Sequence, residues 1–339
     1  MTDTHTPAAL LDDFLTLADD SCVAVLPHVL RITAQLGIAE VIAAGICSAQ
    51  KIAAETDTDL AALRRLLRAL ASVGVVDEER PGLFRLTAAG HRLRADAENS
   101  VRESILNTDS QRAWLGALET FRTGRPVFDN THGAEFFEHK DADMQANRAF
   151  LRRMRERAGR LYGQFVTVPD WSQSETVMDI GGGDGFVIDR VLREAGHLKG
   201  ILFDRPPVVD GVREYPHLVA LGERVRLEGG DFFEGLPEGA DTHLLCGVLH
   251  DWTDEQVLTI LSNSRAALRQ GGRLIIIDMV LPPDNRWHPS IWSDISMMVL
   301  MNGRERTETD FENLLRQAGF AMSSVTPVPH SYFSLVEAK

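Results

Sequence analysis

The apolar positions of this chain follow two different rhythms. Over residues 1 to about 100 they recur at helical spacing. Ala8 to Leu17 and Val23 to Leu36 each predict a helix, with Pro27 a candidate kink in the second and Gly37 its stop. Ser48 predicts the N-cap of a short helix running to Thr56. Asp57 to Ser72 predicts another: Leu60, Leu63, Leu66, Leu67 and Leu70 share one face, and Arg64, Arg65 and Arg68 lie away from most of it. Gly74–Asp77 and Leu83–Thr87 flank Pro81-Gly82 as a hairpin. Two short helices followed by a hairpin make a winged-helix-like module.

Residues 101–170 read as a helical connector. Trp114, Leu115, Leu118 and Phe121 have helical spacing, Thr123-Gly-Arg-Pro is a turn, and Asn147 to Phe165 carries a stripe of Phe150, Leu151, Met154 and Leu161. Such a stripe is ordinarily core; a cofactor or substrate wall is the alternative, since this helix leads into the next segment. From Thr176 the rhythm changes to short β-rich runs alternating with helices: Thr176–Ile180, Gly200–Asp204, Arg224–Glu228, Thr242–Leu249 and Arg273–Val280. That alternation predicts an α/β domain over 171–339, a mostly parallel sheet with helices on both faces. Phe320–Pro327 and Tyr332–Glu337 are expected to close the sheet as an antiparallel pair.

Composition narrows the function classes. The formal charge of −14 argues against nucleic acid or an anionic membrane as partner, so the arginine-bearing helix reads as part of a packing or dimerisation module rather than a DNA reader. Three dispersed cysteines, Cys22, Cys47 and Cys246, form no C-x-x-C pair and support neither a disulfide framework nor a zinc site. No metal is expected. The N-terminal residues show no secretory signal and no apolar run is long enough to span a bilayer, which suggests a cytoplasmic protein.

Candidate chemistry sits at the strand ends. The first run ends in Asp179-Ile-Gly-Gly-Gly-Asp-Gly185 and opens into a helix, Phe186–Ala195. A glycine turn at that point lets a ligand approach the backbone closely. It does not match G-x-G-x-x-G, because the last position is Phe186 or Ile188, and so a dinucleotide site is disfavoured. Asp204 ends the second run, where a carboxylate can accept from ribose hydroxyls. Gly229-Gly-Asp231-Phe-Phe follows the third: an acid to accept from an adenine amine and a ring to stack on it.

These three motifs, with Leu249-His250-Asp251-Trp252 and Gly303-Arg-Glu305-Arg-Thr307 in that order, resemble the plant-type small-molecule O-methyltransferases and their bacterial natural-product relatives. The resemblance covers nearly the whole chain. It implies a Rossmann-like class I methyltransferase domain, an N-terminal dimerisation domain and a homodimer. The implied cofactor is S-adenosylmethionine (SAM), held by Asp179, Gly181, Gly183, Asp204, Arg205, Asp231, Phe232 and Cys246. The glycines of 181–185 would face its methionine part. His250 would be the general base, with Asp278 and Glu305 orienting it. Asp278 stands where the plant enzymes usually carry Glu, and its shorter side chain suggests Glu305 as the main partner of His250. Cys246 stands where they often carry lysine. Met154, Trp252, Met298, Met301 and Asn302 are candidates for the acceptor pocket. The implied reaction is methylation of an aromatic or enolic hydroxyl on a small molecule. The rivals are N- or C-methylation, SAM-dependent chemistry without methyl transfer, and a DNA-binding regulator.

Overall fold

The computed structural model describes residues 22–162 and 164–339; the helix expected at Ala8–Leu17 lies outside the described residues. The chain divides into two compact units between Thr108 and Asp109, so that residues 109–170 belong to the second.

In the first unit, α1 (Cys22–Gln35) contains Pro27, and the chain turns at Gly37 in the left-handed region, φ 65°. There follow α2 (Ile38–Ala43), α3 (Ala49–Glu55) and α4 (Leu60–Ser72). Ser48 caps α3 by accepting from the Lys51 N–H, as its side chain predicts. The cap of α4 is Asp59, which accepts from the Ala62 N–H, so this helix starts three residues later than its apolar pattern suggests. Leu63, Leu67 and Leu70 are buried against Ile38, Ile42 and Ile52, whereas Arg64, Arg65 and Arg68 are exposed. Strands β1 (Val76–Arg80) and β2 (Leu83–Leu86) pair antiparallel around Pro81-Gly82 and complete the helix-and-hairpin module.

The second unit opens with α5 (Asp109–Leu115) and α6 (Ala117–Thr123), separated at Gly116. Their apolar side chains face outward: Leu115 is 90% exposed, Leu118 63% and Phe121 60%. Then comes α7 (Met144–Leu161). The sheet is built from β3 (Thr176–Ile180), β4 (Lys199–Asp204), β5 (Val225–Gly229), β6 (Thr242–Cys246), β7 (Arg273–Asp278), β10 (Met322–Pro327) and β11 (Ser334–Ala338). Among the described residues it has seven strands in the order β10-β11-β7-β6-β3-β4-β5. Strands β3 to β7 are mutually parallel, and β11 runs antiparallel to both β7 and β10. A separate short parallel pair joins β8 (Val280–Leu281) to β9 (Arg306–Thr307).

Residues of these strands alternate between two cores. Val177, Leu202, Leu244, Ile275 and Ile277 face one, with α8 (Phe186–Glu194). Met178, Ile201, Phe203, Leu245 and Ile276 face the other, with α9 (Asp254–Ala267) and α11 (Glu308–Gln317). Burial on both faces is why the strands read as nearly continuous apolar runs. The run expected at Thr242–Leu249 ends early: β6 stops at Cys246, Gly247 turns with φ 64°, and Leu249–Asp251 forms a 3-10 turn. Between β8 and β9 lies α10 (Pro289–Leu300).

Candidate active site

A parallel sheet brings all its strand C-termini to one edge, so residues far apart in sequence meet there. Asp179 is one residue from the end of β3, and Asp204, Cys246 and Asp278 end β4, β6 and β7. Beside this edge is a cavity of about 540 Å³, within the range of cofactor sites. Asp179, Gly181, Gly183, Asp204, Arg205, Asp231, Phe232 and Cys246 all line it.

The glycine turn is built for close approach. Gly181, Gly183 and Gly185 have φ of 72°, 57° and 78°, a region that side chains with a Cβ rarely enter. Asp204 holds this turn: its Oδ2 accepts from the Gly183 N–H at 2.8 Å, and its Oδ1 from the Arg205 N–H at 2.7 Å. Burial raises the Asp204 carboxyl, with Arg205 opposing. Asp179 lies beneath the turn, and burial together with the charge of Asp204 pushes it up to about 7. Cys246 is a buried free thiol, raised well above its usual range by burial, so it remains uncharged.

Aromatic rings gather around Asp231. Trp252 stacks on Phe137 with centroids 5.3 Å apart and meets Phe232 and Phe233 edge-on at 5.7 and 4.8 Å. Trp252 therefore sits with the ring assigned to adenine stacking, although its sequence position suggests the acceptor side. Met154 lines the cavity together with Phe150 and Leu151, so the apolar stripe of α7 is a cavity wall. Met298, Met301 and Asn302 do not line it. Met301 packs beside the Phe128 and Phe136 cluster, and Asn302, exposed with φ 61°, follows the C-terminus of α10.

The histidine is held by β7. Its Nδ1 lies 2.6 Å from Asp278 Oδ1, and both side chains are buried. Asp278, not Glu305, is thus the hydrogen-bonding partner. The expectation from side-chain length fails because the 3-10 turn brings His250 directly over the end of β7. Glu305 completes the cluster, with one donor atom from each of the three residues lying within 4.8 Å of the others, but makes no standard hydrogen bond to His250. The other ring nitrogen, Nε2, lies 3.5 Å from Asp251 Oδ1, and Asp251 lines the cavity. Burial pulls the His250 pKa down, but Asp278, Glu305 and Asp251 outweigh it and raise it to about 10. The same burial raises Asp251 to about 6 and Glu305 to about 7, with His250 opposing in each case.

Two residues of the Gly303–Thr307 run have roles that the sequence pattern did not single out. Arg306, 1% exposed, donates to the carbonyls of Leu249 at 2.7 Å and Trp252 at 2.8 Å, bracketing His250, and pairs with Asp254. At Gly303 a Cβ would stand 2.1 Å from the His250 carbonyl oxygen, so only glycine fits. Their presence in a motif was the one available signal. Tyr162 and Arg155, which also line the cavity, carried none.

The donor set suits SAM: a glycine turn open to close approach, carboxylates at consecutive strand ends, and an aromatic group beside Asp231. Known proteins agree. Residues 114–321 match the model of the O-methyltransferase domain, and residues 21–96 that of the O-methyltransferase dimerisation domain. The O-demethylpuromycin-O-methyltransferase of Streptomyces alboniger is 36% identical over 319 residues, covering 92% of this chain and 85% of its own. The crystal structure of LaPhzM superposes with a TM-score of 0.90 at 32% identity, covering 97% of this chain and 99% of the other. The O-methyltransferase NcsB1 from neocarzinostatin biosynthesis, solved with SAM and 2-hydroxy-5-methyl naphthoic acid, superposes at 0.79 and 28% identity, covering 93% and 95%. No helix among the described residues is long and apolar enough to cross a membrane. The chain belongs to the SAM-dependent O-methyltransferase family, with a class I methyltransferase domain and an N-terminal dimerisation domain.

Proposed function

We propose that this enzyme methylates a hydroxyl on a small aromatic metabolite, with His250 as the proton acceptor. The observation that carries the reading is the His250–Asp278 pair at 2.6 Å, its second ring nitrogen beside cavity-lining Asp251. The bound cofactor supplies an activated methyl on a sulfonium, open to in-line displacement by an oxygen. Asp278 accepts the Nδ1–H of His250, which fixes the tautomer and leaves Nε2 to take the acceptor's proton. Glu305 adds negative charge that favours the resulting imidazolium. A phenol titrates near ~10, and the surrounding carboxylates raise His250 to about 10, which makes the ring basic enough to take the phenol proton. The reactive state has one proton shared between ring and phenol, and its population rises with pH.

Asp204 is assigned to the ribose, Asp231 and Phe232 to the adenine, and the glycines of 181–185 to the methionine portion. Arg205, Asp179 and Cys246 complete the cofactor wall, and Met154 faces the acceptor side. The acceptors named for its relatives, an O-demethylpuromycin and a hydroxynaphthoic acid, both suit a flat-ring pocket. The protein is proposed to act as a cytoplasmic homodimer through its dimerisation domain. The test is calorimetric titration with S-adenosylhomocysteine (SAH), followed by a phenol panel with methyl-labelled SAM. Label in an O-methyl product supports the reading; label in an N- or C-methyl product, or SAH binding with no labelled product across the panel, counts against it.

A further inference from the structure

Helix α7 carries six arginines, and they do not all face the same way. Phe150, Met154 and Ala158 form its cavity-facing stripe. With about 3.6 residues per turn, Leu151 and Arg155 fall on one flank of that stripe, and Arg153 and Arg157 on the other. The first flank meets the glycine turn, where Arg155 Nη1 donates to Asp184 Oδ2 at 2.8 Å. The second lies toward α10 and the His250 turn. Phe150 packs there with Val299 and Leu300 of α10, and the Arg153 guanidinium is 5.6 Å from the centre of the Phe150 ring. Burial raises the carboxyls of Asp251 and Glu305; His250 opposes it, and Arg157 opposes it too.

These two guanidiniums are half-buried, and among the described residues neither makes a hydrogen bond or an ion pair. The aspartates whose charge reaches Arg153 already have partners: Asp109 pairs with Lys140, and Asp251 lies 3.5 Å from His250 Nε2. Two cations one helical turn apart also repel each other. Burial pulls the Arg153 guanidinium down to about 10, and the charge of Arg157 adds to the pull. Partly buried charge without a counter-charge is costly, and the planar fork of a guanidinium matches a carboxylate.

We propose that Arg153 and Arg157 form an anion seat for the methyl acceptor, and that the acceptor is an aromatic hydroxy acid. Its ring lies against Phe150 and Met154, its hydroxyl meets His250, and its carboxylate rests on the two guanidiniums. This inference rests on the reading of His250 as proton acceptor for an aromatic hydroxyl, to which the arginines add the second group that selects the substrate. A carboxylate between them cancels their repulsion. It also gives a flat ring a second fixed point, which holds the hydroxyl in line with the methyl.

The experiment measures kcat/KM for phenolic acids paired with their neutral carboxamides: dihydroxybenzoate, hydroxynaphthoate and hydroxycinnamate. Wild type should prefer the acid in each pair it methylates, by about 10- to 100-fold. Arg153→Gln and Arg157→Gln should each lower the acid-to-amide ratio by about fivefold or more, chiefly through KM for the acid. Arg157→Lys, a point charge without the fork, should keep part of the ratio. Calorimetric titration with SAH checks that each variant keeps its cofactor cavity. A wild-type ratio near one would overturn the proposal and leave hydroxyl methylation standing. So would equal losses on acid and amide in both variants, because the arginines would then only balance the carboxylates around His250. Methylation of neither member of any pair by wild type would remove the hydroxyl-methylation reading itself, and the proposal with it.

Discussion

Asp278→Asn separates the charge of the His250 partner from its shape. Asp278 is 1% exposed and its Oδ1 lies 2.6 Å from His250 Nδ1, so the substitution removes a buried negative charge at hydrogen-bond distance. Asp278, Glu305 and Asp251 outweigh the burial of His250 and raise it to about 10, so the ring is mostly protonated at pH 7. The sign follows directly. The raised pKa places the rise of kcat/KM on the alkaline side, and loss of an adjacent opposite charge moves it down by ~1–3 units. The maximum of the profile should also fall, by roughly 10²–10⁴, because an amide neither enforces the tautomer nor stabilises the imidazolium. The assay is kcat/KM for methyl transfer to a phenolic acceptor between about pH 6 and pH 10, with SAH titration as a control that the cavity is intact. A rise that stays at its wild-type pH, or a maximum that stays at its wild-type height, would refute the role assigned to Asp278.

Other consequences are as direct. Gly303→Ala should lower kcat by more than about tenfold while leaving SAH affinity near wild type, because its Cβ would sit 2.1 Å from the His250 carbonyl oxygen and displace the ring; equal kcat would show the turn can yield. Arg306→Met should cost ~2–4 kcal/mol in urea unfolding, as the Leu249 and Trp252 carbonyls lose their donor and Asp254 its partner; a change below about 0.5 kcal/mol would show that water replaces it. Light scattering at micromolar concentration should give twice the chain mass of 37.5 kDa, and a single-chain mass would contradict the dimer.

Much of the site was legible because it is local. Each of the motifs at 179–185, 204 and 231 lies where a strand stops, and strand ends follow from two-residue alternation and turn residues. The helix cap at Ser48 is equally local, since its hydroxyl accepts an N–H three residues on. Boundaries shifted where a neighbour intervened: the Thr242–Leu249 run stops at Cys246 because Gly247 turns, and Gly247 leaves room for the Tyr162 hydroxyl that packs against it.

What the sequence by itself determined is the order of strands and helices, the acids and glycines at strand ends, and hence the family. Those features repeat a period or a motif that the chain carries within a few residues. Only the tertiary structure decided which carboxylate holds His250, which wall Trp252 joins, and that Arg155 and Arg306 belong to the site at all. Asp278 lies 28 residues from His250, Arg306 57 from Leu249, and Arg155 29 from Asp184. Such pairings are set by how the sheet edge and its flanking helices pack, where a difference of one methylene between Asp and Glu is resolved by backbone placement rather than side-chain length.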